Sequence, residues 1–150
     1  MSTANPSRSR RTPAILRFAL KAMVGLYRMT NGAVAGRMGS TPVLLLTTIG
    51  RKSGKPHTIP LSFFTDGDTL FLVASNGGSD RHPAWYLNLT AHPQVEIQVK
   101  GDHQTVTATT ATPDERTRLW AQVVAKAANY ARYAQRTTRE IPIVLIRSTR

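Results

Sequence analysis

An antiparallel β-barrel carrying helices on its rim is the fold class this sequence predicts, and three observations predict it. Strand-like alternation and short apolar runs dominate from Thr41 onward. Two links between these runs, "DGD" at 66–68 and "GD" at 101–102, are tight enough for hairpins only. Helical signals are confined to the chain ends and to stretches between strand pairs, without the strand–helix–strand alternation that a parallel Rossmann sheet requires. A mainly β domain with flanking helices follows.

Residues 1–12, "MSTANPSRSRRT", are polar and basic and read as a disordered tail. Over 13–40, "PAILRFALKAMVGLYRM" has helical period, with Arg17, Lys21 and Arg28 within about 40° of one another on the wheel. These cations interrupt the apolar stretch, so neither a signal peptide nor a membrane-spanning helix fits. An amphipathic helix of this kind packs on a domain or lies in an anionic membrane interface; packing is the expected role, and the two can coexist.

The remaining span, 41–150, holds the barrel. "PVLLLTTI" (42–49) reads as a buried strand, "HTIPLSFFT" (57–65) as an alternating one, and "TLFLVAS" (69–75) as its hairpin partner. After the Gly-rich "SNGGSD" comes a helix over 82–93, closed before Pro93. "QVEIQVK" (94–100) and "QTVTATTAT" (104–112) form a second hairpin. Thr112-Pro113-Asp114-Glu115 is a capping box opening a helix with Leu119, Val123 and Ala127 on one face. "IPIVLIR" (141–147) is the last strand.

The 150 residues suit one domain, and the absence of cysteine excludes disulfides and thiolate metal sites. The net charge is +12, and its placement is lopsided: all eight acids lie at or after Asp66, while the first 65 residues carry ten Lys/Arg. A segment so basic suits an anionic visitor: nucleic acid, a membrane surface or a small polyanion. A solvated basic surface is the bland alternative. Nucleic acid lacks support, because no recognition helix or cation–aromatic interleaving is present.

The densest charge is in "TTIGRKSGKPHTIPLSFF" (47–64), where Arg51, Lys52 and Lys55 sit with Gly50 and Gly54. It is not a phosphate-binding P-loop: the glycine spacing is one residue short, Pro56 follows the lysine, and a strand rather than a helix comes next. A cationic turn gripping a small polyanion and a merely solvated hairpin are the two remaining readings.

"GRKSGKPHTIPLSFF", "VASNGGSDRHPAWYLNL", "HPQVEIQVKG" and "IPIV", in this order and spacing, resemble the deazaflavin-dependent nitroreductases of mycobacteria and related actinobacteria, the flavin/deazaflavin oxidoreductase A group. The resemblance spans about residues 40 to 146. It implies a split β-barrel of the pyridoxamine-phosphate-oxidase-like, FMN-binding type that binds the 8-hydroxy-5-deazaflavin coenzyme F-420. That coenzyme carries a phosphate and an oligoglutamate tail, which a cationic turn would hold.

By the same resemblance, Arg51, Lys52, Ser53, Gly54 and His57 grip phosphate and tail, and Pro60 borders the ring system. Val73, Ala74, Ser75 and Asn76 lie along the deazaflavin, with Ala84, Trp85 and Asn88 on its other side. Ser62, Ser75, Tyr130 and Tyr133 face the acceptor, and Ser75 and the two tyrosines are the candidate catalytic groups. Some relatives have arginine at the position of His57 and lysine at that of Asn76, so fixed positive charge is reduced here. Ser62 and Ala127 replace tyrosines of the nitroimidazole-activating relative, which widens the acceptor side.

The expected activity is hydride transfer from the reduced coenzyme to a quinone, a nitroaromatic or an activated alkene, with no metal. The alternatives are a non-catalytic carrier of the coenzyme at the membrane and an FMN-dependent reductase. The expected location is cytoplasmic, with attachment to the inner membrane face as an option. Oligomeric state stays open between monomer and dimer.

Overall fold

The computed structural model describes residues 13–148; the basic tail read over 1–12 lies outside the described residues. Helix α1 (Ala14–Thr30) precedes a two-residue strand β1 (Arg37–Met38), then β2 (Thr41–Ile49), β3 (Pro56–Ser62), β4 (Phe64–Asp66) and β5 (Thr69–Val73). Helix α2 (Ala84–Ala91), strands β6 (Gln94–Val99) and β7 (Asp102–Thr110), helices α3 (Pro113–Lys126) and α4 (Asn129–Gln135), and strand β8 (Ile143–Ser148) complete the chain.

All described strand pairs are antiparallel, in the order β1-β2-β6-β7-β8-β5-β4 with β3 also on β2. Since β3 and β4 are consecutive in the chain, one bent stretch carries both edges of the sheet, and the sheet curls into a barrel.

That bend corrects the single strand expected over 57–65. Phe63 breaks it by donating its N–H to the Pro42 carbonyl at 3.0 Å. Phe63 points into one core cluster and Phe64 into another, so the chain changes both partner and face at that point. The second hairpin also differs: Val99 pairs with Asp102, so Lys100 and Gly101 make the turn. Lys100 accepts a left-handed φ of 54° because its N–H is held by the Tyr27 hydroxyl at 2.8 Å. The segment 13–40 is not all helix. It leaves α1 at Asn31 (φ 51°) and adds β1 to the sheet.

Three clusters explain why the apolar runs are nearly unbroken. On β2, Leu44 and Leu46 face the barrel interior while Val43 and Leu45 face α1. On β8, Val144 and Ile146 point inward while Ile143 and Leu145 meet Leu119 and Val123 of α3. Strands covered on both faces lose the polar half of the alternation. The capping box of α3 forms, with Thr112 Oγ1 accepting from the Glu115 N–H and Glu115 Oε1 from the Thr112 N–H.

Helix α1 docks chiefly through buried Val24 and Tyr27, with Leu20 and Met23 half-buried beside them, and its opposite apolar side chains stay in solvent: Ile15 is 84% exposed, Phe18 76% and Met29 84%. The expectation of a core-facing helix therefore holds for one face of two. No described helix is long and apolar enough to cross a membrane.

Candidate functional site

The cationic turn links β2 to β3. Gly50 N–H donates to the Lys55 carbonyl and Gly54 N–H to the Gly50 carbonyl, both at 2.8 Å. Gly54 has φ +68°, a conformation that glycine adopts at no steric cost. A Cβ on Gly50 would press on Ser53 Oγ and lie 2.9 Å from His57 Nε2, so a larger residue there would displace those two side chains. Ser53 Oγ accepts the Lys55 N–H at 3.2 Å and lies 3.4 Å from His57 Nε2. Arg51, Lys52, Lys55 and His57 are all exposed.

Asn88 of α2 holds this turn to the body of the protein. It is buried, and its Oδ1 accepts from the Arg51 N–H at 3.2 Å and from Arg51 Nη1 at 3.3 Å. Its Nδ2 donates to buried Thr48 Oγ1 at 3.2 Å. Replacing Asn88 with alanine leaves Thr48 and the Arg51 amide short of partners, a loss of about 1–3 kcal/mol. The expected result is a melting temperature lowered by roughly 2–10 °C together with weaker binding of any anion on the turn; a thermal melt checks the first and a ligand titration the second.

Arg51 also lines a cleft of about 820 Å³ with Asn76, Ser79, Asp80, Arg81, His82, Ala84 and Leu87. The cleft therefore has cations on two walls, one from the turn and one from the Gly-rich loop. Asn76 sits at φ 47° and donates from Nδ2 to the Arg81 carbonyl at 3.1 Å, which shapes the second wall.

The structure brings Arg51, Asn76 and Ala84 into this cleft, keeps Lys52, Ser53 and Gly54 on the adjoining turn, and puts His57 at the start of β3. Pro60 is buried opposite Leu45. The side chains of Val73, Ala74 and Trp85 belong to the packed cores, and Ser75 is buried at the loop entry. Trp85 meets Tyr86 edge to face.

Ser62, Tyr130 and Tyr133 make a separate group. Tyr130 stacks edge-on with Phe64 and Tyr133, at 5.6 and 5.4 Å between centroids. Burial raises the Tyr130 phenol above its ordinary pKa, against the lowering effect of its hydrogen bond with Ser62. Asn129 Nδ2 donates to the Tyr133 hydroxyl at 3.2 Å. The tyrosines share a face of α4, and the backbone of α4 covers Gly78 of the cleft loop.

Two residues escaped the sequence. Arg139 binds the cleft loop from across the chain, and His82 lines the cleft beside it. Arg139 offers no local signal, because its partners lie 57 to 65 positions away.

Residues 19–148 match the family model described as F420H(2)-dependent quinone reductase. An F420H(2)-dependent quinone reductase of Mycobacterium tuberculosis is 44% identical over 125 residues, covering 81% of this chain and 84% of the relative. The solved structure of an F420-H2 dependent reductase, FDR-A, superposes with a TM-score of 0.64 at 36% identity, over 70% of this chain and 93% of that one. A Listeria innocua chain described as a pyridoxamine 5′-phosphate oxidase superposes with a TM-score of 0.52 at 14% identity, over 90% and 94% of the two chains, and shares the fold alone. The barrel is thus a split β-barrel of the kind the sequence resemblance implied. On the family model and the mycobacterial relative together, the chain belongs to the F420H(2)-dependent quinone reductase family.

Proposed function

We propose that the chain is a coenzyme F-420-dependent reductase that takes the reduced coenzyme into the Arg51–Arg81 cleft and passes hydride to a quinone, a nitroaromatic or an activated alkene. The carrying observation is that, within the family match, the cleft has a cation on each of two walls. The donor set fits the coenzyme. Arg51 offers a planar fork for phosphate or carboxylate, and Lys52 and Lys55 add mobile charges along the same turn.

When bound, the reduced coenzyme supplies the hydride, from carbon 5 of its ring system. The protein holds and polarises. Asn88 keeps Arg51 against the cleft, and the loop from Ser75 to Arg81 forms the opposite wall. On the acceptor side, the raised Tyr130 phenol keeps its proton at neutral pH. With Ser62 as its partner, Tyr130 Oη can hold a proton for the reduced product.

The test is a titration of oxidised coenzyme followed by its intrinsic fluorescence, then reoxidation of the reduced form by menadione and a nitroaromatic. Quenching is expected in the micromolar range. Lys52→Ala should weaken binding by about two- to fivefold, the size expected of one exposed ion pair. Absence of quenching overturns the reading. Binding without turnover favours a carrier, and tighter binding of FMN favours the flavin alternative.

A second reading has its own observation. Ile15, Phe18, Leu26 and Met29 recur at helical spacing as an exposed apolar stripe, with Arg17, Lys21 and Arg28 also exposed on α1. This arrangement suits an anionic lipid surface, with the apolar side chains entering the interface and the cations meeting headgroup phosphates. Co-sedimentation with vesicles containing anionic lipid should exceed that with zwitterionic vesicles, and Phe18→Glu should cut it about tenfold or more. Equal binding to both vesicle types argues against this attachment.

A further inference from the structure

Strand β5 ends at Val73, and the chain then passes through Ser75 and the short turn Asn76–Gly78 to build one wall of the cleft. One distant side chain meets much of this loop's hydrogen-bonding need. Arg139 donates from Nε to the Ser79 carbonyl and from Nη2 to the Ser75 carbonyl, both at 2.8 Å. Both terminal nitrogens also reach the Ala74 carbonyl at 3.3 Å. Next to it, Arg136 donates to the Gly77 carbonyl at 3.3 Å, and Thr137 donates to Asp80 Oδ1 at 2.9 Å. Residues 136–139 thus grip the loop along its whole length.

Arg139 Nη1 also stands 3.2 Å from His82 Nδ1. A guanidinium has only donors, so the Nδ1 that faces it must carry the lone pair, and the ring proton belongs on Nε2. Protonating Nδ1 would set an imidazolium N–H against a second cation. Burial first, and the Arg139 charge second, hold His82 below the ordinary histidine pKa. The ring is therefore neutral at neutral pH, with a single fixed N–H. It lines the cleft that Arg51 and Arg81 also line, and it rests on Tyr86 with centroids 4.9 Å apart.

We infer that His82 is a further ligand-binding residue of the cleft, a neutral N–H donor to an oxygen of the bound coenzyme, and that Arg139 is a positioning residue fixing both the His82 tautomer and the Ala74–Ser79 loop. The ligand role rests on the coenzyme reading of the cleft; the tautomer and the loop hold do not. A neutral donor suits this place, since it bonds to oxygen without repelling Arg139, as an imidazolium would.

Two measurements test the inference separately. Long-range proton–nitrogen NMR of the free, labelled protein at pH 7 should show His82 with its proton on Nε2, and Arg139→Gln should abolish that preference. An Nδ1–H ring or an imidazolium in the wild-type protein overturns the inference. Coenzyme titration then compares two amides. His82→Gln places an N–H near the Nε2 position and should keep affinity within about threefold. His82→Asn mimics the Nδ1 acceptor, lacks that donor, and should lose about tenfold.

Arg139→Lys should not restore the binding lost in Arg139→Gln, because an ammonium cannot span the carbonyls that the fork reaches. Equal affinities for His82→Asn, Arg139→Gln and the wild type overturn the inference. If Arg139→Gln fails to fold, His82→Asn still decides the ligand role, since it preserves the acceptor that Arg139 meets. A wild-type protein with the Nε2 proton but no coenzyme binding sinks the functional reading and the ligand role of His82 together, leaving the Arg139 hold established by its own measurement.

Discussion

Arg51→Ala is expected to weaken coenzyme binding by about ten- to a hundredfold while leaving the melting temperature nearly unchanged. The two effects separate because Arg51 is exposed, so truncation creates no cavity, whereas its fork is directed by Asn88 toward the cleft. A charge-assisted hydrogen bond is worth about 1.5–3 kcal/mol, which sets the range. Arg51→Lys should recover only part of the loss, because a point charge cannot bind two oxygens in one plane. Arg51→Glu should exceed the alanine variant, since it replaces an attraction by a repulsion. The wild-type affinity should also fall with added salt, and less so in Arg51→Ala, because screening acts on the interaction that the variant lacks. Fluorescence titrations at two ionic strengths check each statement. Unchanged affinity in Arg51→Ala would remove the turn from the site.

The barrel was legible because its signals are local. Each hairpin, the capping box at Thr112 and the apolar runs announce themselves within a few residues. Phe63 and Phe64 were not separable on this basis. Two adjacent phenylalanines look the same in sequence, and only the two cores that receive them show that the strand bends there. Helix α1 was readable as amphipathic, but which apolar side chains face the barrel depends on Val43 and Leu45, some twenty residues downstream.

The site divides along the same line. Its glycines and cations between 50 and 55 are contiguous, so the residues alone offered an anion-binding turn or a merely solvated one, and the family resemblance favoured the first. Asn88 entered only as a residue beside the ring system, and its grip on Arg51 and Thr48 comes from the fold. Trp85 was open between cleft wall and core, and the packing places it in the core. Arg139 was invisible, because a single arginine in "TTREIP" has no pattern and its carbonyl partners carry no side-chain signature. Backbone acceptors are satisfied by tertiary structure, and the sequence does not mark which ones need help.

Tyr27→Ala should cost about 3–5 kcal/mol, as large-to-alanine changes at buried aromatic positions do. At this chain length that corresponds to a melting temperature lowered by roughly 6–20 °C. Tyr27 is 1% exposed and is the main anchor of α1, where it packs with Val24, Val43 and Leu45. Its hydroxyl donates toward the Val43 carbonyl at 2.9 Å, with the Gln98 carbonyl at 3.3 Å, and accepts the Lys100 N–H at 2.8 Å. Tyr27→Phe keeps the ring but strands the Lys100 amide in its left-handed turn, so a smaller loss of about 1–3 kcal/mol is expected. The damage should be regional. Neither the barrel interior nor the cluster under α3 includes Tyr27, whereas α1 would be left with Val24, half-buried Leu20 and Met23, and the bond from Arg28 Nη2 to Thr58 Oγ1 at 3.3 Å. Trypsin should therefore cut faster at Arg17, Lys21 and Arg28 in Tyr27→Ala, at temperatures where coenzyme binding is still intact. Proteolysis and titration run on one sample decide the matter: simultaneous loss of α1 protection and of coenzyme affinity would show that the helix and the barrel unfold as one unit.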